Sequence, residues 1–302
     1  MPPSDRRAGD RRATVVEPAR AKLNLYLHVT GRRDDGYHLL DSLVVFAQAG
    51  DVLAASPADS LTLSVDGPFA DALRDEPDNL VLRAARALAE AAGIKGGAAL
   101  SLTKTLPVAS GIGGGSADAA AALRVLRRLW DVRLQPHVLD AIAVKLGADV
   151  PVCLDGQAAF ISGAGEHRDP APVLPAAGLV LVNPGMPLPT PAVFARRAGS
   201  FSQPAPFTDA PRDAAALATV LRARRNDLTE AAMALVPAIG DVLAALEASP
   251  GCLLARMSGS GATCFGLYAD RAAATAAAAF LGRTRRGWWV MPTALTGAAD
   301  PE

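Results

Sequence analysis

Between residues 21 and 29 apolar and polar positions alternate strictly, with Leu23, Leu25, Leu27 and Val29 on one face and Lys22, Asn24, Tyr26 and His28 on the other. That period of two predicts a half-buried β-strand with a polar second face. Arg32-Arg-Asp-Asp-Gly36 predicts a turn leading through Tyr37 and His38 into a second strand over 39–47. Gly50-Asp51 predicts a further turn, into short strands near 52–55 and 61–65. The period then changes. Asp78-Asn79 reads as a helix start, residues 80–92 as the helix and Gly93 as its stop. A strand over 98–103 runs into Lys104 and the segment Pro107-Val-Ala-Ser-Gly-Ile-Gly-Gly-Gly-Ser-Ala117. Behind that segment Ala122, Leu123, Val125, Leu126, Leu129 and Trp130 make a broad apolar face opposed by Arg124, Arg127, Arg128 and Asp131, as a helix requires. A helix over 136–146 and strands at 152–154 and 158–162 complete the first half.

The Gly-, Pro- and Ala-rich stretch 163–174 marks a domain boundary, beyond which 178–183 reads as a buried strand. A proline-rich connector follows, with Thr190 as helix N-cap ahead of Pro191 and the helix carrying Phe194. Residues 199–211 read as an irregular loop, and helices are expected at 214–223, 228–233 and 236–247. Met257-Ser-Gly-Ser-Gly-Ala262 is a second glycine loop entering a strand; an alanine-rich helix from residue 271 and a strand at 288–291 end the pattern.

The first glycine loop has a direct chemical reading. Gly111, Gly113, Gly114 and Gly115 carry no Cβ to hold the backbone off a bulky anion, and they permit positive φ, so successive N–H groups can converge on phosphate oxygens. The helix behind them adds unpaired N–H groups and a positive dipole end. Two familiar motifs are excluded. A P-loop needs Gly-Lys-Ser/Thr, yet no lysine follows Lys104 until Lys145. The dinucleotide fingerprint needs Gly or Ala where Ser116 stands.

Composition narrows the setting. A chain of 302 residues, 50% hydrophobic and 20% charged, is long enough for about two globular domains. Lys+Arg of 30 against Asp+Glu of 30 leaves no overall field to draw nucleic acid or an acidic membrane, so a small-molecule partner is expected. Cys153, Cys252 and Cys264 show no metal-ligand or disulfide spacing, which points to a reducing, cytoplasmic setting. The Arg-rich residues 1–12 have no apolar run behind them and read as a disordered tail, 1–13, not a signal or anchor. Lysine occurs only at 22, 95, 104 and 145, so each one stands out.

The order of a Lys22/Asn24 strand, a Gly36-Tyr37-His38 turn, the 107–117 loop, Gly147-Ala-Asp149-Val-Pro151, Asn226-Asp-Leu228 and Ser258-Gly-Ser-Gly261 resembles the GHMP kinase superfamily over about residues 19–296. The resemblance implies a two-domain α+β fold with the active site in the interdomain cleft: an ATP-binding domain over 14–165 and a substrate domain over 166–298. It implies ATP on Pro107, Val108, Ala109, Ser110, Gly111, Ile112, Gly113, Gly114, Gly115, Ser116 and Ala117, bordered by Lys104. It also implies Mg2+ with no identified ligand set. The substrate expected is a small molecule carrying a cytidine diphosphate moiety, contacted by Asn24, Tyr37, His38, Thr190, Pro191 and Phe194.

The family's catalytic positions match Lys22 and Asp149. Chemistry supports them separately: phosphoryl transfer needs positioning, charge neutralisation and an acceptor for the hydroxyl proton. Asp149 is then the base, and Lys22 orients it and offsets charge. An aromatic ring such as Tyr37 can stack on a base for about 1–3 kcal/mol. A kinase of another small alcohol, a dinucleotide-dependent oxidoreductase and a non-catalytic nucleotide-binding protein are the alternatives. The oxidoreductase lacks an acidic strand end at the required distance after the loop. The presence of both Lys22 and Asp149 opposes the non-catalytic reading. Oligomeric state is left open by the sequence.

Overall fold

A computed structural model describes residues 14–74 and 78–296. The expected N-terminal tail lies outside the described residues. Two long strands organise the first domain: β1 (Val15–Arg32) and β2 (His38–Ala58), 18 and 21 residues, form an antiparallel hairpin. The other edge of β2 is shared. Its C-terminal part pairs with β4 (Gly97–Thr103) and its N-terminal part with β5 (Ala159–Gly163). β3 (Leu61–Asp66) adds parallel to β4, and β6 (His167–Pro170) adds to β5, giving six strands. This sheet therefore continues past residue 165.

β1 departs from strict alternation. Its pairing runs Asn24↔Val44 and then Tyr26↔Leu43, leaving Leu25 as an extra residue. Such a bulge reverses the facing of everything after it. Lys22 and Asn24 stay on one face with Leu27 and Val29, whereas Tyr26 and His28 turn to the opposite face. The expectation of a half-exposed strand is also corrected, because Lys22, Asn24, Tyr26 and His28 are all buried. Gly50-Asp51 is no turn either: β2 runs straight through it. A Cβ on Gly50 would lie 2.4 Å from the Ala19 carbonyl oxygen, so the glycine serves the close approach of β1.

Helices α1 (Leu80–Ala92) and α2 (Gly114–Leu129) pack on this sheet around Val81, Leu88, Leu102, Leu123 and Leu126, and α3 (Pro136–Leu146) packs against α1. Each such buried aliphatic side chain is worth about 1.5–3 kcal/mol relative to exposure. Asn79 caps α1 through Val81 N at 2.9 Å, and Gly93 ends it at φ 66°. Residues 152–154 are helical, within α4 (Val150–Asp155), not a strand. Pro151 presets a helical first turn and Gly156 at φ 64° closes the last.

The second domain is an antiparallel sheet in the order β10 (Trp289–Ala294), β7 (Gly178–Asn183), β9 (Cys264–Tyr268), β8 (Leu254–Met257). It carries α5 (Thr190–Arg196), α6 (Ala214–Arg222), α7 (Thr229–Leu235), α8 (Ala238–Glu247) and α9 (Arg271–Thr284). Thr190 is the first residue of α5, not its cap; no side chain caps that helix. The two domains share a core. Leu23, Leu25, Tyr26, Leu43 and Val45 of the hairpin form one apolar cluster with Leu179, Leu181, Phe265 and Leu267 of the second sheet.

Candidate active site

The polar face of β1 opens into a cavity of about 510 Å3 between the two sheets. On its floor the Lys22 ammonium lies 2.9 Å from Asp149 Oδ2 and 3.1 Å from Asn24 Oδ1. Lys22 is buried while the Asp149 side chain is about half exposed, so the pair presents its carboxylate to the cleft. Asp149 sits where α3 ends and α4 begins, at the N-terminal edge of a helix. Asn24 is locked from both sides: its Nδ2 donates to Ser42 Oγ at 2.7 Å and its backbone N–H donates to Ser258 Oγ at 3.1 Å. Ser42 Oγ donates in turn to the Tyr26 carbonyl at 2.5 Å.

The glycine loop is the cleft's next wall. Ala109, Ser110, Gly111 and residues 113–116 line the cavity; Ile112 and Ala117 are buried in the core and anchor the loop at either side. Gly111 and Gly113 adopt φ 77° and 64°, and Gly113 stands at the start of α2 with no side chain capping that helix. The first-turn N–H groups of α2 thus face the cleft without a protein cap, an arrangement suited to anionic oxygens. Lys22 N donates to Ile112 O at 2.9 Å, and a Cβ on Gly113 would lie 3.1 Å from Lys22 Cβ, so the loop is pressed onto the lysine.

The second glycine loop holds the first from behind. Ser258 Oγ donates to Gly111 O at 3.1 Å, and Thr263 N donates to Ser110 O at 3.0 Å. A Cβ on Gly111 would come within 2.6 Å of Gly261 O. Asn226 Nδ2 fastens this second loop by donating to Met257 O and Gly259 O, both at 2.8 Å. Thr190 Oγ1 and Ser260 Oγ, 2.7 Å apart, place a hydroxyl pair on the second-domain side of the cavity.

Beyond that pair the His38 ring stacks on Phe194, centroids 5.0 Å apart and planes at 28°, bridging the β1–β2 turn and α5. Burial, with help from Arg32 and Arg197, holds the His38 imidazole below its ordinary pKa. Tyr37 is 66% exposed at the rim, and Pro191 is exposed at the start of α5; neither lines the cavity. Lys104 borders a second, smaller cavity of about 140 Å3 on the far side of the loop, together with Pro107 and Val108. Its ammonium is not solvated at a strand end but held by Asp51 and Asp118.

A carboxylate–lysine pair facing a glycine loop suited to anionic oxygens, closed by a second domain, meets the stated needs of phosphoryl transfer. Comparison with known proteins agrees. The GHMP kinases N terminal domain profile matches residues 79–163 and the GHMP kinases C terminal profile matches 210–285. The chain is 60% identical over 277 residues to a 4-diphosphocytidyl-2-C-methyl-D-erythritol kinase of Paramagnetospirillum magneticum, covering 92% of this chain and 97% of that protein. It is 55% identical over 284 residues to the protein of the same name from Rhodospirillum rubrum, covering 94% and 93%.

The chain belongs to the GHMP kinase family.

A crystal structure of 4-(cytidine 5'-diphospho)-2C-methyl-D-erythritol kinase superposes with TM-score 0.77 at 35% identity, covering 95% of this chain and 100% of that one. A homoserine kinase from Cytophaga hutchinsonii, at 17% identity and TM-score 0.72, shares the fold. In this GHMP kinase, then, the residues that shape the cleft include several to which sequence reasoning attached no role. Asn226 and Ser258 stood in recognised motifs without one. Ser260 stood in the same motif as Ser258, and Ser42 carried no signal beyond composition. Asp51 read as a turn residue. Asp118 had a usable signal, a lone carboxylate inside an alanine run on a helix that had to be buried.

Proposed function

We propose that this kinase transfers the γ-phosphoryl group of ATP to a hydroxyl of 4-diphosphocytidyl-2-C-methyl-D-erythritol, a step of non-mevalonate isoprenoid precursor synthesis. The observation that carries the reading is the Lys22–Asp149 pair, 2.9 Å apart in a cleft whose wall is the glycine loop. Relatives bearing that kinase's name at 60% and 55% identity support the choice of acceptor.

In this reading the N–H groups of residues 111–116 bind the ATP phosphates. The acceptor hydroxyl donates its proton to Asp149 as the new P–O bond forms and the bond to the leaving ADP oxygen breaks. Lys22 holds the Asp149 carboxylate in place and offsets negative charge on the transferring group. Asn24, locked by Ser42 and Ser258, accepts a second hydrogen bond from the Lys22 ammonium and helps to hold it. The cytidine end lies toward His38, Phe194 and Tyr37, with Thr190 on the path between. His38, held neutral near pH 7 by burial, offers a cytosine one donor and one acceptor.

Among the described residues no group of three or more His, Cys, Asp or Glu is placed to hold a metal ion. The cleft suits an ion brought in on the nucleotide's own phosphates, as Mg2+ in kinases commonly is. Such an ion would neutralise phosphate charge. Among the described residues no helix is long and apolar enough to cross a membrane. The three cysteines are unpaired, in keeping with a cytoplasmic protein.

The deciding assay is ADP release with 4-diphosphocytidyl-2-C-methyl-D-erythritol, compared with homoserine, mevalonate and no acceptor. Turnover with the cytidyl compound alone is expected. Equal or faster turnover with either of the other alcohols would overturn the assignment.

A further inference from the structure

Lys104 is one of the largest fully buried side chains in the protein, yet the chemistry above does not use it. Its Nζ donates to Asp51 Oδ2 at 2.5 Å and to Asp118 Oδ2 at 2.7 Å. Burial alone would lower the pKa of this ammonium, but the two carboxylates override burial and hold it above its ordinary value. The two partners come from opposite sides of the glycine loop. Asp51 Oδ1 also accepts from Thr105 N at 2.6 Å and Leu106 N at 2.8 Å, so Asp51 grips the chain as it leaves β4. Asp118 belongs to the start of α2, beyond the loop. The ammonium lies directly under the first turn of that helix, since a Cβ on Gly114 would be 3.1 Å from Nζ.

Stability does not explain this arrangement. Taking three charged groups out of water costs several kcal/mol per ion, and apolar replacements of such clusters are often as stable or more so. One carboxylate would already neutralise Lys104. The second, when ionised, adds charge that Lys104 does not offset, and its remaining oxygen, Asp118 Oδ1, is buried with no hydrogen-bond partner among the described residues. What the second carboxylate does supply is a tether between the two ends of the loop.

We propose that Lys104, gripped by Asp51 and Asp118, is a positioning residue for the nucleotide: it fixes the exit of β4 against the first turn of α2, and so sets the spacing of the loop N–H groups. Lys104 does not touch ATP in this role. The proposal rests on the reading of residues 107–117 as the ATP site.

The test compares Asp118→Ala, Asp118→Asn, Leu123→Ala and Gly115→Val by steady-state kinetics, ATP titration calorimetry and thermal melting. Asp118→Ala removes the tether on α2. It is expected to raise KM and Kd for ATP about tenfold while kcat and the acceptor KM stay within about twofold. Asp118→Asn keeps an acceptor for Lys104 Nζ and is expected to restore ATP affinity to within about twofold of wild type. Leu123→Ala opens a cavity in the same helix away from Lys104, and is expected to lower Tm with KM for ATP unchanged. Wild-type ATP affinity in Asp118→Ala would overturn the proposal, as would an equal loss of affinity in Leu123→Ala. Gly115→Val tests the underlying reading: Gly115 is exposed, and a Cβ there meets only Leu80 Cδ1 at 3.4 Å. Loss of ATP binding in Gly115→Val beside unchanged binding in Asp118→Ala would overturn the positioning role alone. Unchanged binding in Gly115→Val would move the nucleotide off the loop and overturn both.

Discussion

The Asp149 carboxylate, 2.9 Å from the buried Lys22 ammonium, is fixed in space by that ion pair. Asp149→Asn preserves the shape but cannot take the hydroxyl proton; kcat should fall at least about 10²-fold with ATP affinity nearly intact. Steady-state kinetics with a parallel nucleotide titration checks this, and near-normal turnover would remove Asp149 from the base role. At the rim, Tyr37 is exposed and contributes little to packing, so Tyr37→Ala should leave Tm unmoved. Its kcat/KM toward the cytidyl substrate should drop by the equivalent of about 1–3 kcal/mol if the ring stacks on the base. Unchanged kcat/KM would sink the stacking assignment.

Asp118 gives a prediction about pH. Burial, reinforced by Asp51 and opposed by Lys104, pushes its carboxyl up to about 7. An unfolded-chain aspartate titrates near 3.9, so the folded state binds the extra proton between these values. Stability from this group is therefore complete below about pH 4 and is lost as pH rises through about 7. Asp118→Asn cannot titrate, and should raise Tm at pH 8 relative to wild type by about 2–4 °C per kcal/mol recovered. Melts at pH 5 and pH 8 test it, and a Tm difference independent of pH would contradict it.

At the scale of elements, what the sequence made legible was what caps and punctuation announce. Asn79 and Gly93 bracket α1, Pro136 opens α3, and the glycine run points to the start of α2, though the helix begins at Gly114, inside the 107–117 segment and not behind it. The misread elements share a cause, since periodicity cannot see a neighbouring chain. The Leu25 bulge leaves the alternation of letters intact while turning Tyr26 and His28 to the other face. Gly50 looks like a turn until Ala19 is seen pressed against it. The run 152–154 is too short for period to separate strand from helix, and Pro151 decided it. The Lys22–Asp149 pairing was legible through motif order, but the Lys104 cluster was not, because neither Asp51 nor Asp118 stands in a motif that carries the family resemblance. The second glycine loop can be tested as a unit. Asn226→Ala would strip the donor from Met257 O and Gly259 O, and should cost about 1–3 kcal/mol of stability, read from denaturant unfolding.

For the whole molecule, the shared apolar cluster between the sheets argues against independently folding halves. Arg256 strengthens that join. Among the described residues it meets no carboxylate and instead donates to Leu25 O, Leu221 O and Arg224 O at 2.7–2.9 Å. Burial, together with Arg224, lowers its guanidinium to about 10, so it remains charged at neutral pH. Calorimetry should accordingly show one cooperative unfolding transition, and two resolved transitions would contradict the shared core.

The locking of Asn24 also sets an order of events in the cell. Its backbone partner, Ser258, lies 234 residues later in the chain. At the usual elongation rate of about 5–20 residues per second, roughly 10–50 s pass between synthesis of the lysine strand and arrival of the residue that seals it. That strand therefore waits on the ribosome with one flank open until the stretch around Ser258 has been made.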